Sequence, residues 1–143
     1  MKNNYIIGYT TGVFDLFHIG HLNILRNSKA LCDRLIVGVT TDELVSYKGK
    51  TSIISFEERL QIVSSIKYVD LAIAQTSMDK YEAWKKLKFD IMFVGDDWYN
   101  SPKWREFEDQ FRRVAVKIVY LPYTKGTNST LLQKTIKKIS DQP

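Results

Sequence analysis

Short hydrophobic segments alternate with amphipathic segments along most of this chain. The hydrophobic segments are rich in β-branched and aromatic residues, which is typical of buried strands. They predict five strands, over residues 5–10, 35–40, 71–74, 91–94 and 116–121. The segments between them carry apolar residues at helical spacing, which predicts helices that each bury one face.

A last amphipathic helix is predicted near the end of the chain. Leu132, Ile136 and Ile139 recur at helical spacing, and lysines occupy the opposite face. Strands and helices therefore alternate throughout, and parallel strands need crossover connections of this kind. The pattern predicts an α/β fold built on an open parallel five-stranded sheet with helices on both faces.

This fold class predicts where functional residues should lie. In open parallel sheets, ligands bind beyond the carboxyl ends of the strands, near the point where the strand order reverses. The chain has no internal repeat and no linker-like change in composition, so we expect a single domain over residues 1–143. The loops that follow the strands are therefore the first places to search for chemistry.

Composition narrows the class of protein. Of the 143 residues, 44% are hydrophobic and 26% are charged, as in ordinary globular domains. Lysine and arginine exceed aspartate and glutamate by 21 to 16, and this charge of +5 favours anionic partners. The single cysteine, Cys32, excludes an internal disulfide and a multi-cysteine zinc site. With no secretory signal and no membrane-spanning run, we expect a soluble cytoplasmic protein without a membrane partner.

The most informative segment follows the first predicted strand. Residues 12–21 read GVFDLFHIGH, and the histidines His18 and His21 are three positions apart. If a helix begins near His18, both imidazoles lie on one face. The free N–H groups of a helix start bind anions, and Gly20 leaves space for a phosphate to approach the backbone. The segment predicts binding and activation of a phosphoryl group.

A metal site is the main alternative for a histidine pair. A transition metal would need further ligands from the protein or from water. The chain has no third histidine, and Cys32 is not suitably placed. We therefore predict no metal site formed by protein side chains alone.

The segment GVFDLFHIGH resembles the signature of the cytidylyltransferase branch of the nucleotidyltransferase superfamily. The similarity continues through residues 41–43, 48–50, 55–59, 67–70 and 95–98. It implies a Rossmann-like domain that transfers a cytidylyl group from CTP to a phosphorylated alcohol and releases pyrophosphate by direct in-line attack. The members that use glycerol 3-phosphate are the most similar. The resemblance also implies Mg²⁺, bound mainly through the triphosphate, and a homodimer.

The resemblance assigns roles to residues at matching positions. The catalytic residues would be His18, His21 and Lys48. The nucleotide would be bound by the following set: Thr11, Gly12, Phe14, Asp15, Gly20, Lys50, Gly95, Asp96, Asp97, Thr124, Gly126, Ser129 and Thr130. The acceptor or the surrounding shell would use Arg59, Lys67, Asp70, Tyr123 and Lys125.

Residue chemistry leaves several of these roles open. Asp15 could orient an imidazole, pair with a cation or support Mg²⁺ through water. Arg59 is predicted on the exposed or partner-facing side of a helix, where it could be a plain surface residue. Lys48 and Lys50 could form an exposed basic turn. Residues 95–98 could form an Asx turn with Trp98 as a core anchor.

Two parts of the chain depart from the family pattern. The family motif R-T-E-G-I-S-T reads YTKGTNS over residues 123–129, so that Tyr123 replaces an arginine and Lys125 a glutamate. Lys67 also stands where the most similar members carry arginine, and lysine lacks the two-donor fork. The hydroxyls of Thr124, Ser129 and Thr130 still predict phosphate ligands at a helix start. The arginine-containing ISSTxxR pattern of adenylyl-transferring relatives is absent, which favours CTP over ATP.

Other functions remain to be weighed against this prediction. The acceptor could be phosphocholine, phosphoethanolamine, or a sugar or polyol phosphate, and a quaternary ammonium would favour an aromatic cage. A non-catalytic nucleic-acid-binding module would gather its basic residues on one groove or helix face, whereas here acidic residues are interspersed. We therefore expect no nucleic-acid partner. A CDP-activated polyol would suit synthesis of cell-wall or capsule polymers.

Overall fold

A computed structural model describes residues 4–122 and 129–141 of the chain. Five strands form a parallel sheet in the order β3-β2-β1-β4-β5. They are β1 (Ile7–Gly12), β2 (Arg34–Thr40), β3 (Leu71–Gln75), β4 (Ile91–Gly95) and β5 (Lys117–Leu121). Each strand overlaps the segment predicted for it, so the predicted strand positions are confirmed.

Helices connect the strands, and many begin at a residue that caps them. They are α1 (Ile19–Lys29), α2 (Asp42–Tyr47), α3 (Phe56–Ser64), α4 (Lys80–Leu87), α5 (Pro102–Arg112) and α6 (Ser129–Ser140). The side chains of Thr41, Ser55, Asp79 and Ser101 accept backbone N–H groups at the starts of α2, α3, α4 and α5. A single 3₁₀ turn, Asp96–Trp98, follows β4.

Both faces of the sheet are covered. Under α4 and α5, the rings of Phe89, Trp104, Phe107 and Phe111 pack on Tyr9 and Met92 of the sheet. On the other face, Leu25 of α1 and Val63 of α3 pack on Leu35, Val37 and Phe93. Because the aromatic side of α5 is buried against the sheet, Trp104, Phe107 and Phe111 belong to the core. The predicted Rossmann-like fold is confirmed.

Helix α6 differs from the other helices in how its apolar residues are used. Ile136 and Ile139 are 43% and 64% exposed, so neither is buried in the core. Leu132, at the start of the apolar stripe, is half-buried. The exposed fraction of the apolar stripe therefore increases toward the end of the helix, and the sheet covers it only partly.

The sheet opens between β1 and β4. These strands pair at Gly8 with Ile91 and at Tyr9 with Met92, before either strand ends. One residue further, the Thr10 hydroxyl donates a hydrogen bond to the carbonyl of Phe93 at 3.0 Å. The strand order reverses at this pair of strands, since β2 lies on one side of β1 and β4 on the other. A cleft therefore forms at the carboxyl edge between β1 and β4, where ligands bind in this class of sheet.

None of the helices in the described part of the chain is long and apolar enough to cross a membrane.

Candidate active site

The loop between β1 and α1 carries the histidine pair in a conformation that its residues rarely adopt. Phe14 and Leu16 have φ angles of 55° and 50°, in the left-handed region. Non-glycine residues in this region cost free energy and are held there by their surroundings. Phe14 is buried, and its ring contacts the ring of His21 edge to face at 5.3 Å. The strained loop thus places the ring of Phe14 against the imidazole of His21.

The two histidines meet at the start of α1, as the sequence predicts. His18 is the N-cap residue, and its Nδ1 accepts the N–H of Gly20 at 3.0 Å. The Nδ1 of His21 in turn accepts the N–H of His18 at 3.2 Å, and the two rings stack with centroids 3.8 Å apart. Because each Nδ1 is an acceptor, each neutral ring carries its proton on Nε2. Both rings therefore offer an N–H donor for an anion.

Burial keeps this pair neutral. Desolvation lowers the pKa of His21 to about 3, and the neighbouring His18 adds to the lowering, whereas Asp15 opposes it. Burial also lowers the pKa of His18. A histidine with a lowered pKa stays uncharged at neutral pH. The pair can therefore offer hydrogen-bond donors to an anion without a full positive charge on either ring.

Asp15 connects the loops around the site, and the roles that the sequence left open for it stay predictions. Its carboxylate accepts the N–H groups of Ile53 and Ile54 at 2.8 and 2.9 Å, and it accepts the side-chain amide of Gln133. The side chain is 2% exposed. The carboxylate therefore ties the histidine loop to residues that follow the lysine turn and to α6.

Arg59 is buried, so the prediction of an exposed position is wrong. The side chain is 1% exposed and points from α3 into the protein. Its guanidinium donates to the carbonyls of Ile54, Val13 and Thr40 at 2.9, 2.7 and 2.7 Å. It also pairs with the Asp42 carboxylate at 2.7 Å. The helical pattern failed to locate it because the partners are backbone oxygens of three separate loops.

Asp42 completes this connection. Its carboxylate accepts the N–H of Phe56 at 3.0 Å and the Ser52 hydroxyl at 3.0 Å. The bond from Phe56 and the adjacent Arg59 guanidinium hold the pKa of Asp42 below its usual range. The residues that lead from the lysine turn into α3 are thereby fixed against the end of β2.

The lysine turn follows α2. Lys48 ends the helix, and Gly49 has a φ of 75°, the left-handed conformation that commonly follows a helix end. Lys48 and Lys50 are both exposed, as the alternative of a basic turn predicts. Even so, Lys48 lines the cavity at the carboxyl edge, and desolvation together with Lys50 lowers its pKa.

That cavity has a volume of about 310 Å³. It lies against the ends of β1, β2 and β4, with Thr11, Gly12 and Thr40 on its wall. Aromatic side chains from the α5 region, Trp98, Trp104 and Phe107, form another side. Three lysines border it: Lys48, Lys80 and Lys103. The switch point of the sheet is therefore a basic cavity with an aromatic side.

Lys80 is the functional residue that sequence reasoning missed. It is the first residue of α4, it is 4% exposed, and its Nζ donates to the Thr11 hydroxyl at 3.0 Å. Burial lowers its pKa to about 7; the positive charge of Lys48 adds to the lowering, and Asp79 opposes it. Lys80 forms no ion pair with the described residues. A buried amine without a counter-charge beside a second lysine is a place for an anion.

A signal for Lys80 was present in the sequence. It stands directly after Asp79, whose carboxylate caps α4 through the N–H groups of Tyr81 and Glu82. A capping aspartate shortly after a strand places the next side chain at the carboxyl edge of the sheet. Nothing else in the sequence of α4 distinguishes Lys80 from the exposed lysines of the same helix, Lys85 and Lys86.

The segment after β4 also reaches this edge. A Cβ atom on Gly95 would lie 2.5 Å from Oδ1 of Asp97, so the carboxylate folds closely over the glycine. Asp96 and Asp97 are exposed. Trp98 is 51% exposed and lines the cavity, so the alternative of a core anchor is wrong.

Lys67 and Asp70 lie away from this site. They precede β3 and therefore lie at the amino edge of the parallel sheet. Asp70 accepts the N–H of Leu35 at 2.7 Å and pairs with Lys29 at 2.6 Å, while Lys67 lies over the ring of Tyr68. Within one chain the structure does not bring them to the cavity, because parallel strands place their starts and ends at opposite edges.

The remaining predicted residues belong to the C-terminal motif. Tyr123, Thr124, Lys125 and Gly126 lie outside the described residues. Ser129 and Thr130 form the first turn of α6. Across residues 4–122 and 129–141, no group of three or more histidine, cysteine, aspartate or glutamate side chains could hold a metal ion.

The chain matches the family model described as cytidylyltransferase-like over residues 9–140. It belongs to the cytidylyltransferase-like family. This finding supports a nucleotidyltransferase type of enzyme, and it covers both the histidine loop and α6.

Relatives with two different names match nearly the whole chain. A glycerol-3-phosphate cytidylyltransferase of Staphylococcus aureus is 33% identical over 128 residues, which cover 89% of this chain and 92% of the relative. An FAD synthase of Pyrococcus abyssi is 34% identical over 134 residues, 91% of this chain and 89% of the relative. The similarity thus extends to family members that differ in their named product.

A solved structure is also similar. The lipopolysaccharide core biosynthesis protein from Thermoplasma volcanium superposes with a TM-score of 0.71 at 30% identity, over 85% of this chain and 98% of that chain. The likeness agrees with the parallel Rossmann-like sheet described above.

The Arg59 contacts predict a large loss of stability when the guanidinium is shortened. Arg59→Lys keeps the charge but cannot reach three carbonyls and Asp42 together, so it leaves buried acceptors unpaired. We expect the free energy of unfolding to fall by about 3 kcal/mol. Urea unfolding measures this, with Arg112→Lys in an exposed ion pair as the control. Equal losses for the two variants would contradict the buried role of Arg59.

The His18–His21 geometry predicts a loss confined to the chemical step. Removing one preorganised donor by His18→Ala or His21→Ala should lower kcat about 10²- to 10³-fold. His18→Gln retains a side-chain N–H and should recover part of the loss. Because both pKa values are lowered, the loss should be constant from about pH 7 to 8. A wild-type kcat in either alanine variant, measured by pyrophosphate release, would exclude the assignment.

Proposed function

We propose that this protein transfers the cytidylyl group of CTP to glycerol 3-phosphate, giving CDP-glycerol and pyrophosphate. The observation that carries the proposal is the basic cavity at the β1–β4 switch point, where buried Lys80 and Lys48 face the same space. This cavity adjoins the loop that presents the two imidazole donors. Relatives named glycerol-3-phosphate cytidylyltransferase, with similarity over most of the chain, support the choice of substrates.

The chain's residues can perform this reaction by positioning and charge stabilisation. A phosphate oxygen of the acceptor attacks the α-phosphorus of CTP, a new P–O bond forms, and the bond to the β-phosphate oxygen breaks. Lys80 and Lys48 would hold the acceptor phosphate in line with the α-phosphorus. The Nε2–H groups of His18 and His21 would stabilise negative charge that builds on the phosphoryl oxygens.

Lys50, Asp96 and Asp97 would complete the nucleotide site. Lys50 would neutralise the triphosphate from the lysine turn. The two carboxylates follow β4, where they could accept hydrogen bonds from a base amino group. Ser129 and Thr130, in the first turn of α6, would supply a second phosphate-binding helix start.

Mg²⁺ would enter with the nucleotide. The side chains that line the cavity are lysines and aromatic or neutral polar groups, which are poor ligands for a hard cation. A magnesium ion would therefore be held mainly by the triphosphate oxygens. It would neutralise charge on the phosphates, which the protein residues then orient.

A second acceptor is favoured by one feature of the cavity. Trp98, Trp104 and Phe107 give it an aromatic side, against which a flat ring could stack. Relatives named FAD synthase match at similar identity. Nucleotidyl transfer to FMN is therefore the competing reaction, since FMN also presents a phosphate monoester to the two lysines.

The relatives are named as enzymes, which favours catalysis over a nucleic-acid-binding module. The homodimer implied by the resemblance stays a prediction, which the sedimentation mass of the protein would test. A role in cell-wall or capsule synthesis rests on the glycerol 3-phosphate assignment alone.

A substrate panel tests the proposed function. The protein is incubated with Mg²⁺ and each of four nucleoside triphosphates, together with glycerol 3-phosphate, phosphocholine, phosphoethanolamine, ribitol 5-phosphate or FMN. We expect pyrophosphate release to be fastest with CTP and glycerol 3-phosphate. The rate should fall sharply when unphosphorylated glycerol is used in place of glycerol 3-phosphate. Turnover of ATP or CTP with FMN, without turnover of glycerol 3-phosphate, would overturn the acceptor assignment.

The lowered pKa of Lys80 predicts that binding of the acceptor depends on pH. The free amine has a pKa of about 7 because burial disfavours its charged form, and a bound phosphate would raise that pKa. Acceptor KM should therefore change little between about pH 6 and 7 and rise above pH 7, up to tenfold per pH unit. The phosphate itself titrates near pH 6, and burial lowers the pKa of both histidines, so neither group produces a rise above pH 7.

The variant Lys80→Arg stays charged at all these pH values, so its KM should be nearly flat between pH 7 and 9, whatever its absolute size. Lys86→Arg, an exposed change on the same helix, serves as the matched control and should keep the wild-type profile. A wild-type slope in the Lys80→Arg variant would refute the contact between Lys80 and the acceptor.

A further inference from the structure

Helix α6 lacks the attachment that usually fixes a surface helix. Most helices are held by burying an apolar stripe, which contributes more than intrinsic helix propensity. Here Ile136 and Ile139 are 43% and 64% exposed, and Leu132, at the beginning of the stripe, is half-buried. The position of α6 therefore depends on contacts close to its start.

A polar contact is found at this start. The side-chain amide of Gln133 donates to Oδ2 of Asp15, which joins residues 118 positions apart in the chain. The acceptor is a carboxylate that is 2% exposed. Hydrogen bonds to an ionised acceptor are stronger than those between neutral groups, and burial limits competition from water.

The same carboxylate holds the segment that leaves the lysine turn. Its two oxygens accept the N–H groups of Ile53 and Ile54. Asp15 is also part of the histidine loop and precedes His18 by three positions. Three parts of the site therefore meet at one buried side chain: the histidine loop, the lysine-turn segment and α6.

The contact lies on a defined part of α6. The helix begins at Ser129, and Gln133 follows four positions later, about one turn into the helix. Helical side chains lean toward the N-terminal end, so a contact made by Gln133 fixes the helix near its first turn. That end is where the proposed function places the second phosphate contact.

We propose that Gln133 is a positioning residue for the nucleotide: through Asp15 it holds the start of α6 against the histidine loop and thereby raises the affinity for the triphosphate. The reaction class follows from the family, and the choice of CTP rests on the proposed function. Gln133 touches no reacting group. Its loss should therefore raise the KM for the nucleotide and leave kcat nearly unchanged.

The first experiment needs no nucleotide. Hydrogen–deuterium exchange is compared between the wild-type protein and Gln133→Ala. We expect the amides of α6 to exchange at least tenfold faster in the variant, with those of β1, β2 and β4 unchanged. Gln110→Ala makes the same change at an exposed position of α5 and should leave α6 unaffected. Unchanged exchange in α6 would overturn the anchoring role.

The second experiment measures steady-state kinetics with CTP. Gln133→Ala should raise the CTP KM about tenfold and change kcat less than about twofold. Gln133→Lys should restore the wild-type KM, because its ammonium can donate to the same carboxylate. Faster exchange of α6 with an unchanged KM would overturn the role in nucleotide binding.

The two proposals fail in distinguishable ways. If the substrate panel identifies another nucleotide, the assignment of CTP fails, and the Gln133 variants are measured with the nucleotide that reacts. The exchange experiment gives its result in either case. A normal nucleotide KM in Gln133→Ala, together with rapid turnover of CTP and glycerol 3-phosphate by the wild type, would overturn the Gln133 proposal alone.

Discussion

The buried guanidinium of Arg59 is the contact on which the arrangement of the site depends. It bonds to carbonyls from the histidine loop, the end of β2 and the segment before α3, and it pairs with Asp42. A charge removed from water is stable only when its donors are satisfied. These loops must therefore stay where the guanidinium can reach them all. The buried Asp15 carboxylate connects α6 to these loops in a similar way, as an acceptor of hydrogen bonds.

The candidate active site enclosed by these loops contains basic side chains whose charged forms are disfavoured by burial. The histidines are neutral because they are desolvated, and Lys80 has a pKa of about 7 for the same reason. Among the described residues no carboxylate forms an ion pair with Lys80, so the cavity is suited to a bound anion. A phosphorylated ligand would provide that charge, and the opening between β1 and β4 gives it access. The electrostatics and the topology thus identify the same cavity.

Local patterns were sufficient for the strands, the histidine helix and the lysine turn. Each depends on neighbours in the chain: alternation of apolar segments, a cap at His18, or a glycine after α2. Arg59 and Lys80 were misjudged or missed because their burial depends on distant partners. Arg59 is enclosed by backbone from three loops, and Lys80 bonds to Thr11, 69 positions away. The spacing of apolar residues in α6 correctly predicts a helix. It does not predict how much of that apolar face is buried, because burial depends on what packs against the helix.

The sequence by itself determined the class of fold, the edge of the sheet where a ligand site is expected and the family to which the chain belongs. These follow from periodicity and from a motif whose residues are close in the chain. Only the tertiary structure decided which charged side chains are buried, which of them face the cavity, and that Lys67 and Asp70 lie at the other edge. Burial and charge compensation depend on groups brought together by folding, so their energies are not set by sequence spacing.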